Sequence, residues 1–213
     1  MKQLTTDDLK QLNTDELIRQ FRCRKPRVKP SSYYVSYLHD EIAFELARHG
    51  DDGIRALLGA LDSSDVTRYR SILRALGSRK RKRGSKYKQR IREVLRAALK
   101  DPRPLVVAEA LYSLTTKKLR VRKQRVLAMF RHGNPSLVSQ ALRHLCRFYP
   151  SEVRPYIETA LESRDYLVRE TAVDEIDDAG WIEFLPQVRR LLTDRHQDVR
   201  QAAATAVRNL SSI

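Results

Sequence analysis

Two runs of cations stand out in the chain. Ser78 to Arg90, SRKRKRGSKYKQR, holds eight Lys or Arg in thirteen residues. Thr115 to Arg125, TTKKLRVRKQR, holds six in eleven. Charges at that density stay in water, because an unpaired buried charge is very costly. The chemistry open to them is neutralisation of an anionic polymer. Lys and Arg placed along phosphates release condensed counterions, which favours binding without reading base sequence. The residues that would do this are Arg79, Lys80, Arg81, Lys82, Arg83, Lys86 and Lys88 in the first run, and Lys117, Lys118, Arg120, Arg122 and Lys123 in the second. A third segment, RCRKPRVKP at residues 22–30, carries Arg22, Arg24, Lys25, Arg27 and Lys29. Pro26 and Pro30 make continuous helix untenable there, so it reads as an extended linker and a basic arm.

Other chemistry finds little support. Gly77 and the Gly84-Ser85-Lys86 run are separated by six residues rather than four, so the phosphate-loop pattern fails. No Ser lies in G-x-S-x-G. His39, His49, His132, His144 and His196 form no H-x-x-x-H pair, and His144 with Cys146 lacks same-face spacing for a metal. Cys23 and Cys146 have no x-x-Cys partner and read as one exposed and one buried thiol. No catalytic residue, metal site or cofactor is expected. Tyr33, Tyr34 and Tyr37 read first as packing residues and second as a stacking platform beside the arm. Trp181 reads first as packing, and second as a protein anchor rimmed by Asp177 and Asp178. Asp174 and Glu175 are adjacent on a helix and point in different directions, so they make no acid/base pair.

The net charge of +16 is unevenly spread. Residues 1–77 carry +2, residues 78–150 carry +18 and residues 151–213 carry −4. Self-repulsion of that size opposes folding, so a polyanion partner is expected. No apolar run approaches the ~20 residues that span a bilayer. The opening MKQLTTDDLKQLNTDELIRQ has no apolar signal core, so a cytoplasmic protein is expected, with no membrane partner.

Helical periodicity runs through the chain and must position these residues. Thr5 with Asp8, and Asn13 with Glu16, form capping-box signals for helices at about 4–12 and 14–22. A third helix, about 33–49, ends at Gly50, suited to a left-handed terminal residue. Further helices are expected at about 52–61, 65–76 (ending at Gly77), 90–99, 103–114, 136–147, 152–161 and 165–176. The last pair is FLPQVRRLLTDRHQDVRQAAATAVRNL, with Asp198 as the cap of its second helix.

This pattern repeats. Leu99, Phe130, Leu161 and Leu192 each end an apolar run, and each step is 31 residues. Ala110, Leu142, Ala172 and Ala203 recur at steps of 32, 30 and 31. Leu61 and Ile72 fit the same places with a longer step of 38. The last two copies share an early proline (Pro155, Pro186) and V-R-x-x-A (Val168-Arg169, Val199-Arg200). Over residues 54–210 the chain resembles HEAT repeats, of the short bacterial type first noticed in phycobilisome lyases. The middle copies lack the arginine, at Leu105-Val106-Val107-Ala108 and Ser136-Leu137-Val138-Ser139.

The resemblance implies an all-α, right-handed α-solenoid of about five HEAT-like helical hairpins behind an N-terminal helical cap. The expected organisation is a cap at 1–50 and a repeat array at 51–213, with basic inter-repeat loops at 78–90 and 115–125. In such a stack the inter-repeat connections share one edge, about 10 Å apart. Arg143 and His144 would extend the positive region onto the concave face. The function expected is non-enzymatic binding of a polyanion, DNA or RNA backbone, through this edge. An alternative is a protein-interaction scaffold for an acidic protein. A further one, implied by the resemblance alone, is a phycobilin lyase or a DNA glycosylase; the latter uses tryptophans, and this chain has Trp181 only.

Overall fold

A computed structural model describes residues 5–23, 38–62, 64–78 and 86–212. All regular structure among them is helical, with no strand. No described helix is long and apolar enough to cross a membrane. The chain packs as two compact units, Met1–Lys118 and Leu119–Ile213.

The first unit opens with α1 (Thr6–Leu9) and α2 (Thr14–Arg22). Both start on the capping boxes expected from sequence: Thr5 and Asp8, then Asn13 and Glu16, exchange side-chain and backbone hydrogen bonds. Each box satisfies two N–H groups that the first turn leaves free. Then come α3 (Leu38–Arg48), α4 (Gly50–Gly59), α5 (Val66–Ser78), α6 (Lys88–Ala98) and α7 (Pro104–Thr116). Helices α3, α5 and α7 pack side by side as a row, and α6 covers α7. Helix α4 lies on α3 and α2 and only brushes α5, although the sequence periodicity pairs it with α5.

Three glycines bear on these contacts. Gly50 has φ +77°, the left-handed value expected of it, but the chain re-enters helix at once, so α4 starts two residues early. A Cβ on Gly53 would lie 1.7 Å from the Leu46 carbonyl oxygen, so only glycine lets α4 sit this close to α3. Gly77 does not end α5, contrary to the sequence reading. It is buried inside the helix, and a Cβ there would lie 2.2 Å from Ser113 Oγ of α7. The Ser113 hydroxyl donates to the Leu73 carbonyl oxygen at 2.9 Å, which fastens α7 to α5.

Charges are also buried between these helices. Arg74 of α5 donates to both oxygens of Glu109 on α7 (2.7 and 2.9 Å) and to Asp40 on α3 (2.7 Å). Ser71 donates to the same Asp40. The cluster ties the three helices of the row to one another, because each carboxylate finds its partner on the neighbouring helix.

The second unit repeats one arrangement three times. It contains α8 (Lys123–Phe130), α9 (Pro135–Phe148), α10 (Arg154–Leu161), α11 (Tyr166–Ala179), α12 (Leu185–Arg190) and α13 (Gln197–Leu210). Helices α9, α11 and α13 form the row; α8, α10 and α12 each cover the helix that follows. Pro135, Pro155 and Pro186 sit in first turns, where a missing N–H costs nothing. The core runs along the row through Leu142, Leu145, Ala172, Val173, Ile176, Ala203 and Ala206, all buried. Small residues at 172, 203 and 206 allow the close helix approach that the sequence pattern requires.

The arginine shared by the last two copies has a clear role at one of its positions. Arg169 is buried and forms a two-pronged pair with Asp194 (2.7 and 2.8 Å), and it donates to the carbonyls of Ser163 and Arg164. Asp194 also accepts from the His196 N–H, and His196 caps α13 by accepting from the Asp198 N–H. The cap is therefore His196 rather than Asp198, because Asp194 fixes the turn one step earlier.

Candidate functional site

The expected site divides between the units. In the first, Arg79 to Arg83 lie outside the described residues. Lys86 is exposed, with its Nζ 5.4 Å from the Tyr87 ring. Lys88 is exposed and opens α6, whose N-terminus has no side-chain cap and no acidic residue in its first turn. On the far side of α6, Ile91, Val94, Leu95 and Ala98 are buried. Lys117 caps the C-terminus of α7 through its backbone N–H. Lys118 is exposed and left-handed at φ +56°, a conformation that costs a residue with a side chain about 1–2 kcal/mol.

In the second unit, Arg120, Arg122 and Lys123 lead into α8. The segment is stitched to the end of α9. The Val121 N–H donates to His144 Nε2 at 3.1 Å, and the Tyr149 hydroxyl donates to the Val121 carbonyl at 2.8 Å. Arg120 stacks on the Tyr149 ring at 4.4 Å and donates to the Phe148 carbonyl. Lys123 pairs with Glu152, which raises its pKa. Arg122 is exposed and makes no ion pair among the described residues. So two of these three cations also hold the segment in place.

The positive surface does not extend along α9 as the sequence reading had it. His144 is fully buried, and burial holds its pKa down at about 4, so it is neutral at pH 7. Arg143 faces Asp174 at 3.5 Å and Glu175 at 3.7 Å. Sequence reasoning missed this meeting, and the repeat step was the signal: residues 143 and 174 are 31 apart, so they occupy equivalent places on adjacent helices. Burial pushes the Asp174 carboxyl up and the Glu175 carboxyl to about 7. Burial, and then the Glu175 charge, push the Cys146 thiol up. Cys23 is exposed, and neither cysteine is in a disulfide.

The basic arm is seen only at Arg22, the exposed last residue of α2, whose carbonyl accepts from Arg68. Arg24, Lys25, Arg27 and Lys29 lie outside the described residues, as do Tyr33, Tyr34 and Tyr37. At the acidic end, Asp177 accepts from the Asn209 amide at 2.9 and 3.1 Å, while Asp178 is exposed. Trp181 is half-buried, its ring 6.2 Å from Phe184, and Ile182 beside it is exposed. An open groove of about 900 Å³ lies at the turns joining α8 to α9 and α10 to α11. Its rim mixes Arg131 and Arg164 with Glu158, Glu162 and Asp165, so it has no single sign for a polyanion. Among the described residues no group of three or more His, Cys, Asp or Glu could hold a metal ion.

Comparison with known proteins agrees with the repeat reading. The family model for HEAT repeats matches residues 123–208. No curated protein matches the sequence. Among solved structures, the chain is similar to YibA of E. coli, with TM-score 0.68 and 17% identity over 97% of this chain and 76% of that one. An engineered protein is similar at TM-score 0.53 and 14% identity, over 95% of this chain and all of that one. A designed armadillo repeat protein, solved in complex with the peptide (KR)4, is similar at TM-score 0.52 and 13% identity, over 93% of this chain and all of that one. At these identities the likeness is one of fold. The chain is an all-α helical-repeat protein, and its residues 123–208 match the HEAT-repeat family model.

Proposed function

We propose that the chain is a non-enzymatic binding module that engages a nucleic-acid backbone through its cations at residues 79–88 and 117–123. The observation that carries this reading is the +18 charge of residues 78–150. Within it, Glu93, Asp101 and Glu109 are the only acids, and Asp101 and Glu109 are taken up by Arg103 and Arg74. The excess therefore has nothing in its own stretch of chain to neutralise it. An anionic polymer relieves the repulsion by displacing counterions. The helical-repeat fold supports the reading in a general way, since it offers a rigid frame and leaves its connecting segments to carry function.

The test is binding of fluorescein-labelled single strand and duplex of mixed sequence across a salt series. A variant with Gln at the basic positions of 79–88 is measured beside the parent. Binding of the parent near physiological salt is expected, with log K falling by several units per decade of salt. The variant is expected to lose both affinity and slope. Weak parent binding, or a variant indistinguishable from it, sinks the proposal.

A protein-interaction role is the second reading, and the surface of the second unit favours it. There Asp178 and Ile182 are exposed around half-buried Trp181, an acidic and aromatic surface unlike the basic segments. The peptide bound by the designed armadillo protein, (KR)4, is basic, and an acidic surface of this kind suits a basic segment.

A further inference from the structure

Helix α6 has two faces of opposite character. One is the buried apolar face already described. The other bears Lys88, Arg92 and Arg96 at i, i+4 and i+8, and Lys100 follows just past the helix end. Lys88, Arg96 and Lys100 are exposed and Arg92 is half-exposed. At a rise of about 1.5 Å per residue, successive cations are about 6 Å apart along the axis, and the row drifts about 40° at each step. None of the four makes an ion pair among the described residues. The one acid of the helix, Glu93, lies on the same outward side, three residues before Arg96, and accepts from Gln89 at 3.0 Å and Arg90 at 3.5 Å. The row begins where the 79–88 run ends, so run and helix form one continuous series of cations in sequence.

We infer that the outer face of α6, through Arg92, Arg96 and Lys100, is a track for a nucleic-acid backbone, next in sequence to the basic run at 79–88. This rests on the proposed function, and it adds the path of the polymer: along the outer layer of helices rather than over the α3–α5–α7 row. A uniformly charged polymer suits a face on which cations outnumber the single acid. An anionic bilayer would be gripped best by a basic amphipathic helix that inserts its apolar side. Here that side is committed to the core, with Ile91 and Ala98 at 1% exposure and Leu95 at 0%. The bare N-terminus of α6 points the same way, since three cations and no acid crowd the positive end of the helix dipole.

The test compares four full-length proteins on the same labelled duplex over a salt series: the parent, the 79–88 Gln variant, R92Q/R96Q/K100Q, and R189Q/R190Q/R208Q. The last removes the same charge from exposed positions in the second unit. Thermal midpoints confirm that all four fold. The α6 triple is expected to lose at least about tenfold in affinity at moderate salt, with the salt slope smaller by about 2–3, at about 0.9 per phosphate contact. The matched control is expected to stay within about threefold of the parent at moderate salt, where distant charges are screened. An α6 triple that binds like the control, while the 79–88 variant loses affinity and slope, overturns the path but leaves the nucleic-acid reading standing. A parent that binds vesicles containing phosphatidylserine and not the duplex overturns both.

Discussion

At the scale of single residues, buried His144 and partly buried Glu175 of the second unit pull stability in opposite directions with pH. His144 is held down at about 4 by burial, with Nε2 accepting from the Val121 N–H. The folded state thus favours the neutral ring. This contribution is complete above the unfolded value of about 6.5 and is lost as pH falls toward 4. Glu175 is the reverse case, since burial lifts its carboxyl to about 7 and the folded state favours the protonated form. Its penalty is absent below the unfolded value and grows as pH rises through 7. Glu175→Gln is therefore expected to stabilise the protein at pH 8 by on the order of 1–2 kcal/mol, each pKa unit being worth about 1.36 kcal/mol, and hardly at all at pH 5. His144→Gln is expected to destabilise it most at pH 8, with a deficit that shrinks by pH 5. Urea midpoints of each variant against the parent at both pH values check the two signs. A gain from Glu175→Gln that is larger at pH 5 than at pH 8 contradicts the assignment.

At the scale of elements, two contacts decide how helices sit. Replacing glycine by alanine inside a helix normally gains up to about 1 kcal/mol. At Gly77 the opposite is expected, a loss of about 1–3 kcal/mol, because the new Cβ would meet Ser113 with backbone close behind it. A chemical denaturation curve of G77A that shifts to higher urea would show that α5 and α7 are not packed this closely. In the second unit, the Arg169–Asp194 pair joins α11 to the turn before α13, and both side chains are under 10% exposed. Truncating one partner strands the other charge, so R169A and D194A are each expected to cost about 3–5 kcal/mol. The double variant should cost less than the sum, and a double-mutant cycle without that coupling would rule the pair out as the tie.

At the scale of the whole molecule, net charge governs. At +16 the folded chain repels itself, and that repulsion is screened by salt. The thermal midpoint of the free protein is expected to rise by a few degrees between low salt and about 0.3 M NaCl, a range over which the Debye length shortens well below ~10 Å. A short duplex at low salt should raise the midpoint as well, by mass action, and the effect should fade as salt rises. Opposite salt trends for the free and the mixed protein are the signature of charge relieved by a polymer. A midpoint that ignores both salt and duplex would assign the charge elsewhere.

The chain's own pattern determined a good deal. Capping boxes at Thr5 and Asn13, the first-turn prolines and the 31-residue recurrence of apolar positions are local or strictly periodic signals, and the helices follow them closely. The basic runs were equally legible, because cations at that density have to remain in water wherever the chain folds. Tertiary structure alone decided what each charge faces. Arg143 meets Asp174 and Glu175, Arg169 is locked to Asp194, and His144 is a buried acceptor for the Val121 N–H, because those partners come from other helices and segments. The same holds for Gly77 and Gly53, whose reason is the space left by a neighbour rather than their own backbone preference. Periodicity reports which side of a helix is apolar. Which polar group waits on the next helix depends on register between helices, and only packing sets that.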